Sequence, residues 1–215
     1  MLRNSVKSVK SVKTVESGEG FVEIDGSFSK KLLCPAPQYV RKTVAAMLLK
    51  AAGNLPDGFR LILHEGWRSY EKQTLLFERQ RKVTAAEHPG WSSDVIDSYT
   101  HNFAAIPSRD PLNPSPHATG GAVDVSVEGS DMGSAFLEMT ERSRTDYYDA
   151  AEGSEAELFR ANRAMLKSAM EGAGFVNFPY EWWHYEYGID TWAKLNRRDA
   201  IYGGKYSVEE ITAQA

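Results

Sequence analysis

SPHATGGAVDVSV (residues 115–127) joins a double-glycine turn to a run in which valine recurs at every second position. Side chains of a β-strand point alternately to opposite faces, so this run predicts a strand whose three valines face the core. Asp124 then lies on the other face, between the small side chains of Ala122 and Ser126. The stretch therefore predicts a core strand that carries one carboxylate on an open face.

The turn before this strand has two interpretations. Gly120 and Gly121 permit backbone conformations that a Cβ forbids, and they can bring His117 back toward Asp124. The pair then forms either an ordinary hydrogen bond beside a turn or the first half of a metal site. This stretch alone leaves both interpretations open.

EWWH (residues 181–184) supplies the second half of a metal site. Glu181 and His184 are three positions apart and would face opposite sides of a regular strand. Both can serve one site only if the backbone leaves strand geometry at Glu181, and the nearby Pro179 favours such a departure.

Together, His117, Asp124 and His184 supply two imidazoles and one carboxylate, a ligand set that suits tetrahedral zinc with a fourth position for water. Glu181 is then the general base for that water. Arg68, in GWRSYEKQ after a predicted strand, reads most simply as a surface residue. In a hydrolytic site, its guanidinium would stabilise an oxyanion.

Composition restricts the class of protein. The chain has 215 residues, 42% of them hydrophobic, and can bury the core of one domain. Its net charge of −4 comes from mixed acidic and basic residues without a basic stripe, so we expect no nucleic-acid partner. No apolar run reaches the 18 residues of a membrane span. The single cysteine, Cys34, has apolar neighbours and is expected to be a buried, inert thiol.

The N-terminal segment is expected to be separate from the domain. Residues 1–20 contain a triple Ser-Val-Lys repeat and no apolar core of a signal peptide, so we predict a flexible arm and a cytoplasmic protein. The predicted domain covers residues 21–215.

The predicted elements favour an α+β fold over a doubly wound sheet, because helices and short strands alternate without a regular βαβ rhythm. We expect a central antiparallel sheet flanked by helices, with the metal site at the sheet. Residues 88–116 lack periodicity and are interpreted as a lid or wall of a site. Helices are predicted over 38–52, 71–82 (opened by Ser69) and 157–171, and strands over 59–65, 122–127 and the region around 178–188.

These motifs resemble a known family. SPHATGGAVD fits Ser-x-His-x-x-Gly-x-Ala-x-Asp, and EWWH fits Glu-x-Trp-His. The two are similar to the paired motifs of zinc D,D-peptidases of the vancomycin-resistance type, and SDMGSAF (residues 130–136) brings the chain nearer to the D-alanyl-D-alanine dipeptidases. The resemblance implies one zinc per chain and a small D,D-dipeptide substrate. It also implies roles for site residues: His117, Asp124 and His184 as ligands, Glu181 as base, Arg68 as oxyanion stabiliser and Ser115 as a substrate contact.

Two departures from the family pattern concern the substrate. Leu137 stands where the family usually places an aspartate that meets the substrate ammonium group, and Glu138 or Asp131 are the candidates to replace it. The arginine segment reads Trp-Arg-Ser where the dipeptidases commonly show Tyr-Arg-Pro.

Three alternatives to a dipeptidase are carried forward. A D,D-carboxypeptidase would act on longer cell-wall peptides. A non-catalytic zinc-containing binding domain would resemble the signalling domain of hedgehog proteins. A non-haem iron(II) oxygenase also uses two histidines and one carboxylate, although its usual local His-x-Asp pair is absent here.

Overall fold

The computed structural model describes residues 12–110 and 113–213. In this part of the chain two sheets and six helices form an α+β fold, which confirms the predicted class. The strands are β1 (Phe21–Ile24), β2 (Leu32–Leu33), β3 (Gln38–Arg41), β4 (Leu61–Glu65), β5 (Ala122–Val127), β6 (Val176–Asn177) and β7 (His184–Glu186). The helices are α1 (Lys42–Asn54), α2 (Tyr70–Glu87), α3 (Ser93–Thr100), α4 (Ser154–Ala173), α5 (Asp190–Asn196) and α6 (Val208–Thr212).

The main sheet has five strands in the order β2-β4-β5-β7-β6. Its pairs are antiparallel, as expected for the central sheet, except at one edge, where the two-residue β2 pairs with β4 in parallel. Strands β1 and β3 form a separate antiparallel pair. Strand β5 lies at the centre, and its neighbours β4 and β7 are the strands that bring other parts of the chain to Asp124.

The predicted strand over residues 122–127 is confirmed as β5. Its three valines are buried in the main core, which helices α1 and α4 complete by packing against each other. Burying large aliphatic side chains on one face of β5 stabilises the fold by about 1.5–3 kcal/mol for each of them. The opposite face of β5 carries Asp124.

The predicted helices are present, with different bounds. The helix predicted over 38–52 begins only at Lys42. Residues 38–41 instead form β3, because they pair with β1 in an antiparallel register. The helix predicted over 71–82 is α2, which runs five residues further, and Ser69 caps it by accepting a hydrogen bond from Lys72 N. The helix predicted over 157–171 lies within α4, which ends at Gly174 in a left-handed conformation (φ +109°).

The region 88–116 contains a helix that its sequence did not predict. Helix α3 is only eight residues long, and its edge-on packing of Tyr99 against His88 and Trp91 is a tertiary contact. The residues that follow α3, at 103–108, line the cavity described below, which agrees with the expected wall of a site.

The last residues of the predicted flexible arm contact the rest of the protein, while residues 1–11 lie outside the described part of the chain. Val15 N donates to Ala200 O (2.7 Å), and Glu16 forms an ion pair with the fully buried Arg41 (3.0 Å). A buried guanidinium needs a partner, and this segment provides one. Residues 15–16 are therefore attached to the predicted domain of residues 21–215.

Within residues 12–110 and 113–213, none of the helices combines the length and apolarity that crossing a bilayer requires.

Candidate metal centre

Three side chains from separate parts of the chain meet on the polar face of β5. His117, Asp124 and His184 are buried, and one potential ligand atom from each lies within 4.8 Å of the others. His117 Nε2 is 3.3 Å from Asp124 Oδ2, and His184 Nδ1 is 2.9 Å from Asp124 Oδ1. The structure thus brings together all three ligands expected from the sequence.

His117 reaches this point through a short 3-10 turn (Pro116–Thr119). The turn ends at Gly120, whose φ of +70° is unfavourable for residues with a Cβ. At Gly121 a Cβ would lie only 2.5 Å from the carbonyl oxygen of Tyr187. Gly120 therefore permits the turn that was expected between His117 and Asp124, and Gly121 allows a close approach to the end of β7 that was not expected.

Hydrogen bonds fix which nitrogen of His117 faces the centre. His117 Nδ1 lies 2.8 Å from the carbonyl oxygen of Gly66. A carbonyl only accepts, so Nδ1 carries a proton, and Nε2, on the side of Asp124, is the nitrogen that can bind a metal ion. This is the tautomer that a metal ligand needs, and the carbonyl holds the ring in place.

His184 is oriented in the opposite sense. Its Nδ1 faces Asp124, and its Nε2 lies 3.4 Å from Oε1 of the buried Glu186, whose other oxygen accepts a hydrogen bond from Thr191 N (2.9 Å). Carboxylates behind metal-binding histidines are common, because they orient the ring and raise its basicity. Sequence reasoning missed Glu186, although its spacing of two from His184 places both on one face of a strand.

The charges at the centre favour a cation. Burial raises the pKa of Asp124, but the adjacent His117 and His184 outweigh it and hold that pKa well below its usual range. Burial lowers the pKa of His184, but hydrogen bonds to Asp124 and Glu186 raise it to about 10. The proton that these carboxylates hold on His184 is one that a bound metal ion replaces. The donor set, the burial and the tautomer of His117 together fit zinc.

Glu181 lies beside the centre and leaves strand geometry, as predicted. It belongs to a turn in which Glu181 N donates to Phe178 O (3.1 Å), and β7 begins only at His184. Its Oε2 is 3.9 Å from His184 Nδ1, and its side chain is 16% exposed. The carboxylate is thus next to the metal-facing nitrogen and open to the cavity.

Arg68 is a fixed, buried residue, which excludes the simple interpretation of a surface arginine. Its Nη2 is 3.4 Å from Asp124 Oδ2 and 3.5 Å from Glu65 Oε2, and its Nη1 donates to Gln73 Oε1 (3.0 Å). Lys72 also contacts Glu65 (2.7 Å). Sequence reasoning missed Glu65 and Gln73, because an acid at a strand end and an amide on a helix have no recognisable signature.

A cavity of about 920 Å³ opens onto the centre. Ser115 and Leu137, singled out in the sequence, both lie in its wall. Asp131 and Glu138 are not among the described residues that line it. Their carboxylates instead stabilise their own loop: that of Asp131 accepts from Gly133 N (2.8 Å), and that of Glu138 accepts from Ala135 N (3.0 Å). The structure therefore places neither candidate acid where it would replace the aspartate that the family usually has at the position of Leu137.

Comparison with known proteins agrees with the motifs. The family model described as D-ala-D-ala dipeptidase (Peptidase M15) matches residues 24–200. A D-alanyl-D-alanine dipeptidase of Synechocystis sp. is 37% identical over 106 residues, which are 44% of this chain and 43% of the relative. One of Escherichia coli is 28% identical over 135 residues, 60% of this chain and 56% of the relative.

The chain thus spans about half the length of these curated relatives. The solved structure of VanYB in complex with D-alanine-D-alanine is 21% identical, with a TM-score of 0.47, and the match covers 74% of this chain and 78% of that one. With a family match that extends over most of its length, the chain belongs to the Peptidase M15 family of D-ala-D-ala dipeptidases.

Proposed function

We propose that this protein is a zinc-dependent dipeptidase that hydrolyses D-alanyl-D-alanine or a similar D,D-dipeptide. The observation that carries the proposal is the convergence, at one cavity, of the three metal-binding side chains with Glu181 and Arg68. The family match and the relatives named D-alanyl-D-alanine dipeptidase support the choice of substrate.

In this proposal His117 Nε2, a carboxylate oxygen of Asp124 and His184 Nδ1 hold one zinc ion. Bound zinc supplies Lewis acidity: it polarises the peptide carbonyl and makes water acidic enough to lose a proton near neutral pH. Glu186 and the Gly66 carbonyl keep the two histidine rings in position for this role.

Glu181 moves the proton in the reaction. Its carboxylate takes a proton from the water whose oxygen attacks the peptide carbonyl carbon. When the carbon–nitrogen bond breaks, Glu181 returns that proton to the nitrogen of the leaving D-amino acid. The carboxylate is suited to this exchange because it adjoins the metal-facing His184 Nδ1 and still reaches the cavity.

Arg68 meets the negative charge that develops on the carbonyl oxygen. Its guanidinium is fixed before substrate binds by Gln73, Glu65 and Asp124, so little reorganisation accompanies the reaction. Ser115, in the cavity wall beside His117, is proposed to contact the substrate.

The second candidate is a D,D-carboxypeptidase that acts on longer peptides. Two observations favour it: the cavity is at the upper end of the range for small-molecule sites, and Leu137 offers no charge to a free ammonium group. A zinc-containing binding domain without activity has less support, because Glu181 and Arg68 are both in place at the centre.

A substrate panel tests the proposal. Purified protein loaded with zinc is assayed on D-Ala-D-Ala, its L-containing isomers, N-acetyl-D-Ala-D-Ala and a pentapeptide ending in D-Ala-D-Ala. Cleavage of the free dipeptide well above the acetylated one supports the dipeptidase. Equal or preferential cleavage of the pentapeptide supports the carboxypeptidase, and no cleavage of any compound supports the binding domain.

Metal analysis of protein purified without added metal distinguishes zinc from the iron of an oxygenase. The proposal also places the protein in the cytoplasm and its substrate among peptidoglycan peptides. Cell fractionation followed by immunoblotting tests the location.

A further inference from the structure

Arg163 is a buried arginine outside the metal centre. It lies on α4, is 2% exposed and binds the loop formed by residues 132–144. Its Nε donates to Met132 O (2.7 Å), its Nη2 to Arg142 O (2.8 Å) and Ser134 Oγ (3.2 Å), and its Nη1 to Arg144 O. In the part of the chain that the structure describes, no carboxylate forms an ion pair with it. Burial lowers the pKa of Arg163 to about 10, so it stays charged at neutral pH.

The same loop holds the turn that carries Glu181. Trp182 N donates to Ser143 O (2.9 Å), and Trp182 Nε1 donates to Ser134 Oγ (2.9 Å). Thr145, directly after this loop, donates from its backbone N to the carbonyl oxygen of Pro179, which precedes Glu181 in the chain (3.0 Å). The turn is therefore attached to the loop immediately after Glu181 and two residues before it.

The two sets of hydrogen bonds interlock. The carbonyls of residues 142 and 144 bind Arg163, while the carbonyl between them, at 143, binds Trp182. The Ser134 hydroxyl accepts from both Arg163 and Trp182, which its two lone pairs allow. A displacement of the loop over Arg163 thus moves the Trp182 backbone, and with it the adjacent Glu181.

The cavity wall formed by this loop has independent support. Phe136 stacks on His64 with ring centroids 4.4 Å apart, and its edge contacts Trp183 at 5.6 Å. Neither contact involves Arg163. Loss of Arg163 should consequently disturb the Glu181 turn more than the substrate-facing wall.

We propose that Arg163 is a positioning residue that sets the place of Glu181 through the 132–144 loop and Trp182. This inference rests on the proposed function, in which Glu181 is the general base. The guanidinium of Arg163 donates several hydrogen bonds to the loop from nitrogens in a fixed plane. Lysine, with one ammonium group, is a poor replacement for it.

The first test compares arginines on the same helix. Arg163→Met removes the donors to the loop, whereas the control Arg160→Met removes a guanidinium whose carbonyl partners, Tyr148, Asp149 and Ala151, follow that loop in the chain. We expect Arg163→Met to lower kcat by about 10- to 100-fold with KM within about threefold and zinc content unchanged. Arg163→Lys should fall between this variant and wild type. Equal kcat in Arg163→Met and Arg160→Met overturns the proposal.

A second test is independent of activity. In a ¹⁵N-labelled protein the indole N–H resonance of Trp182, assigned by its loss in Trp182→Phe, reports the bond to Ser134. It should shift in Arg163→Met and in Ser134→Ala but not in Arg160→Met; an unmoved resonance in Arg163→Met overturns the inference. If wild type cleaves no D,D-peptide, the proposed function fails, while this measurement still decides whether Arg163 controls the turn.

A third variant keeps the test valid if Arg163→Met does not fold. Ser134→Ala removes the hydroxyl that Arg163 and Trp182 share and leaves the guanidinium in place. Loss of one such hydrogen bond should lower kcat by about three- to tenfold, with zinc and KM maintained. Wild-type kcat in Ser134→Ala, together with wild-type kcat in Arg163→Lys, overturns the proposal.

Discussion

Asp124 and His184 are register partners on the adjacent strands β5 and β7, and their side chains meet at 2.9 Å. The backbone ladder itself therefore determines that these two candidate ligands face each other. His117 joins them from the turn that leads into β5. Two of the three candidate ligands are consequently positioned by paired strands in the middle of the sheet.

The first prediction concerns the metal. His184→Ala should lose most of the bound zinc, because two remaining ligands cannot complete a tetrahedral site. Metal analysis after dialysis measures the loss. The matched control is His64→Ala, which removes a histidine from the neighbouring strand β4 that is bonded to Ser126 rather than to the centre. A full equivalent of zinc in His184→Ala would show that His184 is not a ligand.

The second prediction concerns the base. Glu181→Gln keeps the shape of the side chain but cannot take a proton, so kcat should fall by about 10²–10⁴ while zinc content and fold are retained. Steady-state assays on D-Ala-D-Ala, with circular dichroism and metal analysis, check this. Glu141→Gln, an exposed acid outside the cavity wall, serves as the control. Turnover within a few-fold of wild type would remove Glu181 from the mechanism.

The third prediction concerns Arg68. Lysine retains the charge but cannot contact Gln73 and Asp124 with separate nitrogens as the guanidinium does. Arg68→Lys should therefore lower kcat by about 10²-fold and leave KM nearly unchanged, as expected for a contact made in the transition state. A variant with normal kcat and a raised KM would instead assign Arg68 to binding of the ground state.

The fourth prediction concerns substrate choice at Leu137. This residue has a φ of +61°, a conformation that aspartate and asparagine tolerate better than leucine, so substitution by either is compatible with the loop. Leu137→Asp should raise the ratio of kcat/KM for free D-Ala-D-Ala to kcat/KM for N-acetyl-D-Ala-D-Ala. The expected increase is about ten- to a hundredfold, the contribution of one charge-assisted contact. Leu137→Asn supplies the uncharged control. If the ratio is the same in all three proteins, position 137 does not face the substrate ammonium group.

The fifth prediction concerns the N-terminal segment. Glu16 forms an ion pair with the buried Arg41. Arg41 Nε also donates to Thr119 O (2.8 Å), two residues after His117 in the chain. Glu16→Ala should lower the free energy of unfolding by about 1.5–3 kcal/mol, the range for a hydrogen bond to a charged group. Urea denaturation measures it, with the exposed Glu23→Ala as control. Deletion of residues 1–20 should likewise destabilise the protein more than deletion of 1–11, and equal stability of the two would contradict the role of this segment.

The sequence predicted those parts of the fold that depend on local pattern. The alternation of residues 122–127 predicts strand β5 with its bounds, because it needs no knowledge of the neighbouring strands. The predicted start of helix α1 is too early, because Val40 fits a helical period as well as a strand. Its pairing with Val22 on β1 is a tertiary choice that overrides that local pattern.

The same distinction holds for the site. His117, Asp124, His184 and Glu181 stand in spaced motifs that the sequence alone displays. Glu186 and Arg163 belong to no such motif, and an acid on a strand or an arginine on a helix usually faces solvent. Only the register of β7 and the path of the 132–144 loop show that both are buried and bonded.

The order of the ligands along the chain has a consequence for biosynthesis. Asp124 and His184 are 60 positions apart, and β7 is made long after β5. A nascent chain that has emerged only as far as β5 carries two ligands and neither the base nor its supporting loop. Such non-local strand pairing forms late, after the loop-closure entropy has been met. The proposed hydrolytic activity should therefore appear only after β7 has been made, and a product truncated before β7 should cleave no D,D-dipeptide.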